Sequence, residues 1–300
     1  NAIAKEEVIT INVEPNRGQY IRKAGLDFES GKDLILAGRP LSVRDIGLAA
    51  SMNHPWISVR RRPRISILAT GDEIVRPGEP LSENQIVSSN SISLKAFVET
   101  CGAVGINLGI ANDDTTNLEA MLAGALGSDL LITTGGISVG DYDLVKSSLK
   151  KMGQEMMFWK VAMKPGKPLA FGRIDNIPIF GLPGNPVSSF VSFEQFARPA
   201  IRKMMGANRL AHRTVQAKLT RTIHKKVGRQ HFLSAHVQWE NGTCTVSPTQ
   251  QQGSGILKST VNANGLLVFP LELSEMMLPN SFQQAFLRLR WAQHCMTLQA

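Results

Sequence analysis

The sequence predicts an α/β domain built on a parallel sheet in three layers, followed by a small all-β, barrel-like domain, with a mixed α+β segment in front. Short apolar runs alternate with helical segments between residues 63 and 205, which is typical of a parallel sheet with helices on both faces. After Gly206 the helices stop and period-two patterns begin, which indicates antiparallel hairpins. A length of 300 residues fits about two domains.

Each element of the α/β part follows from a local pattern. Residues 65–69 form a short apolar run that predicts a buried strand, and residues 90–100 carry apolar side chains at helical spacing. The same patterns recur along the chain. They predict strands at 104–110, 130–133 and 178–180, and helices at 115–126, 142–152 and 187–205.

The flanking regions are predicted in the same way. Residues 8–13 alternate like a strand, and Ser42 is expected to cap a helix that runs to about Ser51. Residues 60–64 contain four arginines, which we interpret as a solvated junction, with a nucleic-acid or targeting patch as the alternative. Beyond residue 206, alternation at 215–219, 233–239 and 287–291, with a turn at 241–242, predicts the hairpins. The predicted domain limits are 1–62, 63–205 and 206–300.

Composition excludes several classes of protein. The chain has no run of about 18 consecutive apolar residues and no basic-then-apolar start, so the sequence predicts neither a membrane-spanning helix nor a signal peptide. Its three cysteines have no metal-ligand spacing, and such a sparse, odd set predicts a reducing, cytoplasmic location. The six histidines form no paired ligand motif and are expected to be surface or strand residues.

The positive charge is concentrated at the carboxyl-terminal end. Residues 206–300 hold ten Lys/Arg and three acids, which accounts for +7 of the net charge of +9. A basic module attracts anions. Nucleic acid, a phosphorylated small molecule, an oxyanion and an acidic membrane all remain open as partners on this basis.

Two acidic loops follow predicted strands. One contains Asp72 and Glu73, and the other contains Asp113 and Asp114. Ligands of parallel sheets bind at the carboxyl ends of strands, and carboxylates there could hold a hard cation such as Mg²⁺. Capping of a turn or of the following helix is the alternative interpretation.

A glycine-rich loop spans residues 133–143 and includes Gly135 and Gly136. Glycines let backbone N–H groups approach an anion at the start of a helix. Asp141 and Asp143 add carboxylates, which is consistent with a cation that bridges them to the anion. The loop matches neither a Walker loop nor a dinucleotide fingerprint.

A lysine-rich segment follows. Lys160 and Lys164 are expected on one side of an extended strand, and Lys167 follows a Pro-Gly turn. Three ammonium groups between apolar flanks favour an anion site over a solvated loop. Residues 181–188 supply another stiff turn, with Pro186 suited to a first helical turn. The simplest ligand for all these loops is a phosphorylated molecule with a divalent cation.

These loops resemble the molybdopterin molybdenumtransferase family, the MoeA-type proteins, which are related to the E domain of gephyrin. The matching segments lie at 70–73, 76–78, 134–143, 160–168, 181–188, 228–232, 253–255 and 262–266, with further similarity within 19–38. The resemblance covers nearly the whole chain, and the combination of motifs is highly specific.

The resemblance implies a molybdopterin-binding α/β domain and a transferase that inserts molybdenum from molybdate into adenylylated molybdopterin, releasing AMP and forming molybdenum cofactor. It also implies Mg²⁺ as the cofactor and a homodimer. By matched position, the resemblance assigns metal binding and catalysis to Glu73, Asp114 and Asp143, and further catalytic roles to Lys160 and Lys164. It assigns ligand binding to Gly135, Gly136, Ser138, Lys167, Pro168, Ser188, Arg229 and Ser254.

The sequence departs from the family pattern in two places. The family's N-terminal portion does not appear and the chain begins at Asn1, so we expect that an N-terminal part is missing. In relatives that part helps to form the dimer and contributes to the partner subunit's active site. Ser88 stands where relatives usually have an aspartate, which removes one carboxylate.

Three alternative functions share some of these sequence features. A non-catalytic scaffold or partner-binding member of the family would not need the acids and lysines. An adenylyltransferase that prepares the adenylylated pterin shares the α/β domain type but not the added β domain. Nucleic-acid binding by the basic module is disfavoured because the module lacks interleaved aromatic residues suited to stacking. We therefore expect neither a nucleic-acid nor a membrane partner.

Overall fold

The computed structural model describes residues 2–5, 7–14, 16–112, 114–136, 154–276 and 286–289. The helix predicted at 142–152 lies outside these residues. Within them, the strands are β1 (Ala2–Lys5), β2 (Val8–Ile11), β3 (Arg64–Thr70), β4 (Ile74–Val75), β5 (Ile86–Val87), β6 (Val104–Ala111), β7 (Leu130–Thr134), β8 (Gln154–Trp159), β9 (Met163–Lys164), β10 (Ala170–Ile174), β11 (Ile177–Leu182), β12 (Thr214–Val215), β13 (Lys218–Leu219), β14 (Ile223–His224), β15 (Gln230–Glu240), β16 (Thr243–Pro248), β17 (Gly265–Phe269), β18 (Glu275–Met276) and β19 (Phe286–Leu289). The helices are α1 (Val43–Ser51), α2 (Asn90–Thr100), α3 (Thr115–Ala123), α4 (Pro186–Ser192), α5 (Arg198–Met204) and α6 (Lys258–Val261).

The N-terminal segment contains a hairpin and one capped helix. Strands β1 and β2 pair antiparallel. Helix α1 begins where the sequence predicts, because the Ser42 hydroxyl accepts from the Asp45 N–H while the Asp45 carboxylate accepts from the Ser42 N–H. This reciprocal capping box satisfies two N–H groups that the helix itself leaves unpaired.

The larger sheet has six strands in the order β6-β3-β7-β11-β10-β8. The first four are parallel, whereas β10 and β8 run antiparallel to their neighbours. The α/β fold class is confirmed, although the sheet is mixed rather than wholly parallel. The difference arises because β10 and β11 form a tight hairpin, which reverses the chain direction at one edge.

Alternate residues of the parallel strands enter two separate cores, so the sheet has a helical layer on each face. On β3, Ile65 and Ile67 pack with Leu94 and Val98 of α2. Leu68, from the opposite parity, packs in the other core, which also holds α3 residues. This division confirms the three-layer prediction.

The helix predicted at 187–205 is continuous but not uniform. It consists of α4, a π-helical turn at Phe193–Ala197, and α5. Pro199 explains the irregular turn, since it cannot donate to the carbonyl four residues earlier and its ring crowds that carbonyl.

The second sheet has seven strands, in the order β12-β19-β17-β15-β16-β13, with β9 added beside β15. Strands β12 and β13 lie at opposite ends of this path, yet only residues 216 and 217 separate them in the chain. The sheet must therefore curl until its two ends approach, which gives the barrel-like form. The expectation that helices stop after Gly206 is wrong for α6, a four-residue helix that crosses between β16 and β17.

Strand β9 joins the two sheets. It follows β8 of the six-stranded sheet in the chain, but it pairs in parallel with β15 of the seven-stranded sheet. Beneath it, Met163 packs in one buried cluster with Val187 and Val191 of α4 and with Phe232 and Leu266 of the barrel-like sheet. This apolar cluster holds the α/β and β parts against each other.

Candidate functional site

The four parallel strands all end at one edge of the larger sheet. Thr70 at the end of β3 is in register with Ala111 of β6, and Thr134 of β7 is in register with Leu182 of β11. Two hydrogen bonds extend the register past the strand ends, from the Gly71 N–H to the Ala111 carbonyl (3.2 Å) and from the Gly135 N–H to the Leu182 carbonyl (3.3 Å). The loops singled out in the sequence therefore begin side by side, as expected for this sheet type.

The exit from β7 is packed too tightly for a side chain. Gly135 has φ of 90°, and a Cβ there would lie 2.3 Å from the Thr70 carbonyl oxygen. The nearby Thr70 hydroxyl is buried and has no hydrogen-bond partner among the described residues. Gly136 also has a positive φ, of 59°. Both glycines predicted to bind ligand thus lie at the sheet edge, while Ser138 lies outside the described residues.

A buried asparagine clamps two of the strand ends together. The Asn90 side-chain amide donates to Thr134 Oγ1 (2.9 Å) and to the Gly184 carbonyl (2.7 Å). Its Oδ1 is buried without a partner among the described residues. Sequence reasoning assigned no role to Asn90. Its place in the first turn of α2 was the only available signal, because the contacts come from residues more than forty positions away.

The acidic residues follow β3 and β6. Glu73 folds back over the strand end, since a Cβ on Gly71 would lie 2.3 Å from Glu73 Oε2. Asp114 caps α3 through its Oδ2, which accepts from the Asn117 N–H (2.8 Å), so the capping interpretation holds for this residue. Asp113, Asp141 and Asp143 lie outside the described residues.

The donor set at this edge is compatible with Mg²⁺ without forming a complete cage. Glu73 and Asp114 are carboxylates that follow adjacent, in-register strands. Mg²⁺ is usually held by one or two carboxylates together with waters and substrate phosphates. No group of three His, Cys, Asp or Glu side chains that could hold a metal occurs within the described ranges. The two described acids therefore suit a cation that shares its ligands with a substrate.

The lysine segment differs from its sequence prediction. Lys160 and Lys164 do not lie on one extended strand, because β8 ends at Trp159 and Lys160 has a positive φ of 74°. The chain then crosses to the other sheet, where Lys164 belongs to β9. The Lys160 Nζ lies 4.0 Å from the centroid of the Trp159 ring, a cation–π contact. The prediction that the two lysines share one side of a strand is wrong. It treats residues 160–164 as one extended strand, whereas the chain crosses from one sheet to the other between them.

The remainder of this segment packs against α4. A Cβ on Gly166 would lie 2.6 Å from Ser192 Oγ, and the Val161 N–H donates to the Lys167 carbonyl (3.0 Å). Lys167 is exposed, Pro168 is half-buried, and Ser188 is buried on α4. Three residues assigned to ligand binding therefore differ in access, and Lys167 is the one whose side chain reaches solvent.

The barrel-like sheet also contributes residues at its boundary with α4 and the lysine segment, which we call the seam. Ser254 lies beside the start of α4, because the Val187 N–H donates to its carbonyl (2.9 Å). Arg229 directly precedes β15, whose first residue, Gln230, donates from its N–H to the Ala162 carbonyl (2.9 Å). The fold therefore places Arg229 next to the lysine segment, as a cross-domain role requires.

Sequence reasoning missed His231 at the same seam. His231 is half-buried and is the register partner of Lys164. Burial lowers the pKa of this imidazole to about 4, with smaller contributions from the positive charges of Lys164, Lys225 and Arg229. The sequence shows only a single histidine in an alternating strand, and this pattern does not indicate its burial or the cations near it.

The residue at the second departure from the family pattern is buried. Ser88 follows β5, and its N–H donates to the Val75 carbonyl (2.8 Å). An aspartate here would place a carboxylate in a buried position. Ser88 instead introduces no charge next to Asn90.

The described helices are all too short or too polar to cross a membrane.

Comparison with known proteins gives the same assignment for both parts of the chain. Residues 66–203 match the family described as a probable molybdopterin binding domain. Residues 216–276 match the MoeA C-terminal region, domain IV. The Haemophilus influenzae molybdopterin molybdenumtransferase is 35% identical over 283 residues, which cover 91% of this chain and 70% of that protein.

The chain belongs to the molybdopterin molybdenumtransferase family. Gephyrin of Dictyostelium discoideum is also 35% identical, over 88% of this chain and 42% of that protein. The crystal structure of the molybdopterin biosynthesis moea protein from Pyrococcus horikosii superposes with a TM-score of 0.80 at 27% identity, covering 96% of this chain and 70% of that one. The family and the fold class expected from the sequence are thus confirmed.

Proposed function

We propose that this protein transfers molybdenum from molybdate to adenylylated molybdopterin, with release of AMP and formation of molybdenum cofactor. One observation carries the proposal: β9 crosses from the α/β sheet to the barrel-like sheet and sets Lys164 beside the segment of Arg229. Gly166 of the lysine segment packs against Ser188 and Ser192 of α4, and a Cβ on Gly184, just before α4, would lie 3.5 Å from the Gly135 Cα, so this cationic seam adjoins the edge with the glycine turn. Phosphate and molybdate, both anions, suit such a seam.

The glycine turn and the cations bind and orient the substrates. Gly135 lets the chain leave β7 in close contact with the Thr70 carbonyl, and its own N–H already donates to the Leu182 carbonyl. We therefore assign the approach to phosphate oxygens to the backbone N–H groups that follow, beginning with Gly136, which also has a positive φ. Lys160, Lys164 and Lys167 supply positive charge, and none of them forms an ion pair with a described carboxylate. Arg229 and Ser254 contribute from the barrel-like side. Pro168, which is half-buried, and Ser188, which is buried, belong to the same proposed ligand-binding set.

The acids would hold the cation. Glu73, Asp114 and Asp143 are the proposed Mg²⁺ residues, of which the first two follow in-register strands. When bound, Mg²⁺ supplies positive charge that offsets the charge developing on phosphate oxygens. Asp114 keeps its carboxylate oriented by capping α3, so the loop after β6 is held in place before substrate arrives.

The remaining assignments are proposals of the same kind. We assign the domains to 1–62, 63–205 and 206–300, the location to the cytoplasm, and the assembly to a homodimer. Exposed apolar side chains in the N-terminal segment support the dimer: Tyr20 is 97% exposed, Trp56 89% and Val43 83%. Isolated apolar residues are common on surfaces, but this number of them in one segment favours a covered face.

The test measures AMP release from adenylylated molybdopterin, with molybdate and Mg²⁺ each supplied or withheld. We expect release that depends on molybdate and yields active cofactor. Asp143→Asn and Glu73→Gln should abolish turnover while the protein stays folded. Glu83→Gln, an exposed acid in the loop between β4 and β5, is the matched control and should leave turnover unchanged. Near-normal turnover in the first two variants would remove their assigned roles.

Saturable binding of the adenylylated pterin without AMP release would contradict the proposed reaction for this chain. Neither AMP release nor binding of the adenylylated pterin, in a folded sample, would favour the non-catalytic, partner-binding role instead.

A further inference from the structure

Positive charge is concentrated where the chain leaves the α/β part for the barrel-like sheet. Residues 198–213, from the start of α5 to the residue before β12, hold five Lys/Arg and no acid. The arginine-rich segment at 60–64 adds a further cation here, because a Cβ on Gly206, just after α5, would lie 3.4 Å from Arg60 Nε. These cations define a surface that we call the linker patch, which consists of Arg60, Arg202, Lys203 and Arg209.

Two guanidinium groups of α5 hold the linker that follows this helix. The Arg202 Nε donates to the Arg209 carbonyl (2.7 Å), and the Arg198 Nη1 donates to the Leu210 carbonyl (3.0 Å). The first bond sets the backbone of Arg209 beside the last turn of α5, where Lys203 also lies. The linker patch is therefore assembled from three segments of the chain rather than from one run of charges.

Further contacts fix the linker between its neighbours. The Asn208 N–H donates to the Gly38 carbonyl (2.8 Å), and the Asn208 side-chain amide donates to the Ala37 carbonyl (3.0 Å). The His212 imidazole is hydrogen-bonded to the Glu194 carboxylate, and both side chains are largely buried. The linker therefore presents its charges from a fixed position, so that a ligand does not have to order it on binding.

Acids that lie beside the same segments already have partners. The Asp129 carboxylate accepts from Arg61 Nη1 (2.7 Å), which leaves it engaged with the neighbour of Arg60. Glu194 lies 3.7 Å from Arg198 Nε in addition to its bond with the linker histidine. None of the four patch cations forms an ion pair with a described carboxylate. The linker patch therefore keeps its positive charge.

The end of α5 explains only part of this charge. Cations are favoured beside the last carbonyls of a helix, which accounts for Arg202 and Lys203 in its last turn. It does not account for Arg60 and Arg209, which come from outside the helix. Like charges that are gathered without an acid repel one another, and a surface of this kind attracts a ligand of opposite charge.

We propose that the linker patch is a docking surface for an acidic peptide segment of a partner protein. Three of its four cations are arginines, whose planar guanidinium groups bind carboxylates through two parallel hydrogen bonds. Nucleic acid fits less well, since residues 60–64 and 198–213 contain no Phe, Tyr or Trp on which a base could stack. The inference goes beyond the proposed function, because the four residues lie outside the set assigned to the transfer reaction.

The first test measures peptide binding to the full chain by fluorescence anisotropy. The probe is a fluorescein-labelled peptide of repeated Glu-Gly, and a Gln-Gly peptide of the same length is the uncharged control. We expect saturable binding of the Glu-Gly peptide alone, and loss of that binding at about 1 M salt, where charges are screened beyond about 3 Å. Binding of both peptides, or of neither, at low salt would overturn the proposal.

Variants of equal charge change locate the binding site of the peptide. Lys203→Gln and Arg209→Gln should each weaken peptide binding about two- to fivefold. Lys218→Gln is the matched control, since Lys218 is exposed on β13 and forms no ion pair with a described carboxylate. This control lowers the net charge by the same amount, yet it should bind like the unaltered protein. Equal losses in all three variants would show attraction to the net charge alone and would overturn the proposal.

Carbodiimide cross-linking separates the linker patch from the cationic seam. The reagent joins a peptide carboxylate to a lysine amine as an amide, with loss of water, and mass spectrometry of the digest identifies the lysine. We expect the Glu-Gly peptide on Lys203. Cross-links confined to Lys160, Lys164 and Lys167 would place the peptide at the seam and overturn the proposal.

The same variants test two other occupants of the linker patch. DNA binding that is tighter than peptide binding, and that both Lys203→Gln and Arg209→Gln weaken, would overturn the proposal in favour of nucleic acid. A lower sedimentation coefficient of the Arg209→Gln protein without peptide would overturn it in favour of a second copy of this chain. We expect neither result.

Discussion

The two sides of the candidate site are built by different kinds of interaction. At the strand-end edge, Gly135 packs against the Thr70 carbonyl and the Asn90 amide bridges two neighbouring loops. At the seam, Lys164 and Arg229 are exposed and make no ion pair with a described carboxylate. Substitutions of the packed residues Gly135 and Asn90 should therefore lower the free energy of unfolding, whereas substitutions at the seam should change ligand binding at nearly constant stability.

Gly135→Ala should have the largest effect on stability. The added Cβ would meet a backbone oxygen at 2.3 Å, in a backbone conformation that residues with a side chain rarely adopt. We expect a loss of about 3 kcal/mol or more in the free energy of unfolding, measured by urea denaturation.

Gly127→Ala is the matched control for that change. Gly127 has a similar φ of 87°, but a Cβ there would meet nothing within 4 Å. Its cost should be about 1 kcal/mol, from backbone strain alone. Equal losses in the two variants would show that the close contact at Gly135 contributes nothing.

Asn90→Ala should have the next largest effect. It removes two hydrogen bonds in a buried region and leaves Gly184 O without its side-chain donor. We expect a loss of about 2 to 4 kcal/mol in the free energy of unfolding. Asn117→Ala, at an exposed position on α3, should cost less than about 0.5 kcal/mol. A loss as small as that of the control would mean that the clamp does not hold the loops.

The imidazole of His231 gives the seam a dependence on pH. Its pKa is lowered from 6.5 to about 4 in the folded protein, so the unfolded chain binds more protons between these values. Stability should therefore fall as the pH drops from 6.5 towards 4, and this contribution should be absent above 6.5. His231→Gln should remove this part of the fall in the free energy of unfolding between pH 7.5 and pH 5, measured by urea denaturation at both pH values. His236→Gln should keep it, and an identical pH dependence in both variants would contradict the assignment.

Lys164→Gln should have the smallest effect on stability and a large one on function. Its side chain is exposed and forms no ion pair with a described residue, so we expect a change of less than about 0.5 kcal/mol in the free energy of unfolding. Molybdate-dependent AMP release should nevertheless fall strongly. Lys203→Gln, at the end of α5, should leave both quantities unchanged. A large loss of stability in Lys164→Gln would erase the contrast between edge and seam.

Patterns confined to one segment were correctly predicted from the sequence. The helix at 90–100 has the observed limits, Ser42 caps α1, and the turn at Asn241 and Gly242 joins β15 to β16. The fold class and the family, as well as the transferase assignment that goes with the family, are confirmed by comparison with relatives. These features depend on capping, periodicity and turn chemistry, which act between residues a few positions apart.

The tertiary structure alone decided how the site is assembled. The sequence predicts a single strand that carries both Lys160 and Lys164. In the fold the two lysines have different environments, because Lys164 belongs to β9, which pairs with Gln230 and His231, some 67 residues away. Asn90 and His231 acquire their roles only from partners brought near by sheet register and domain packing. The sequence by itself determined which residue types reach the carboxyl-terminal edge of the sheet. Long-range pairing decided which of them are buried, which stay charged, and which face one another, because these properties depend on neighbours that are distant in the chain.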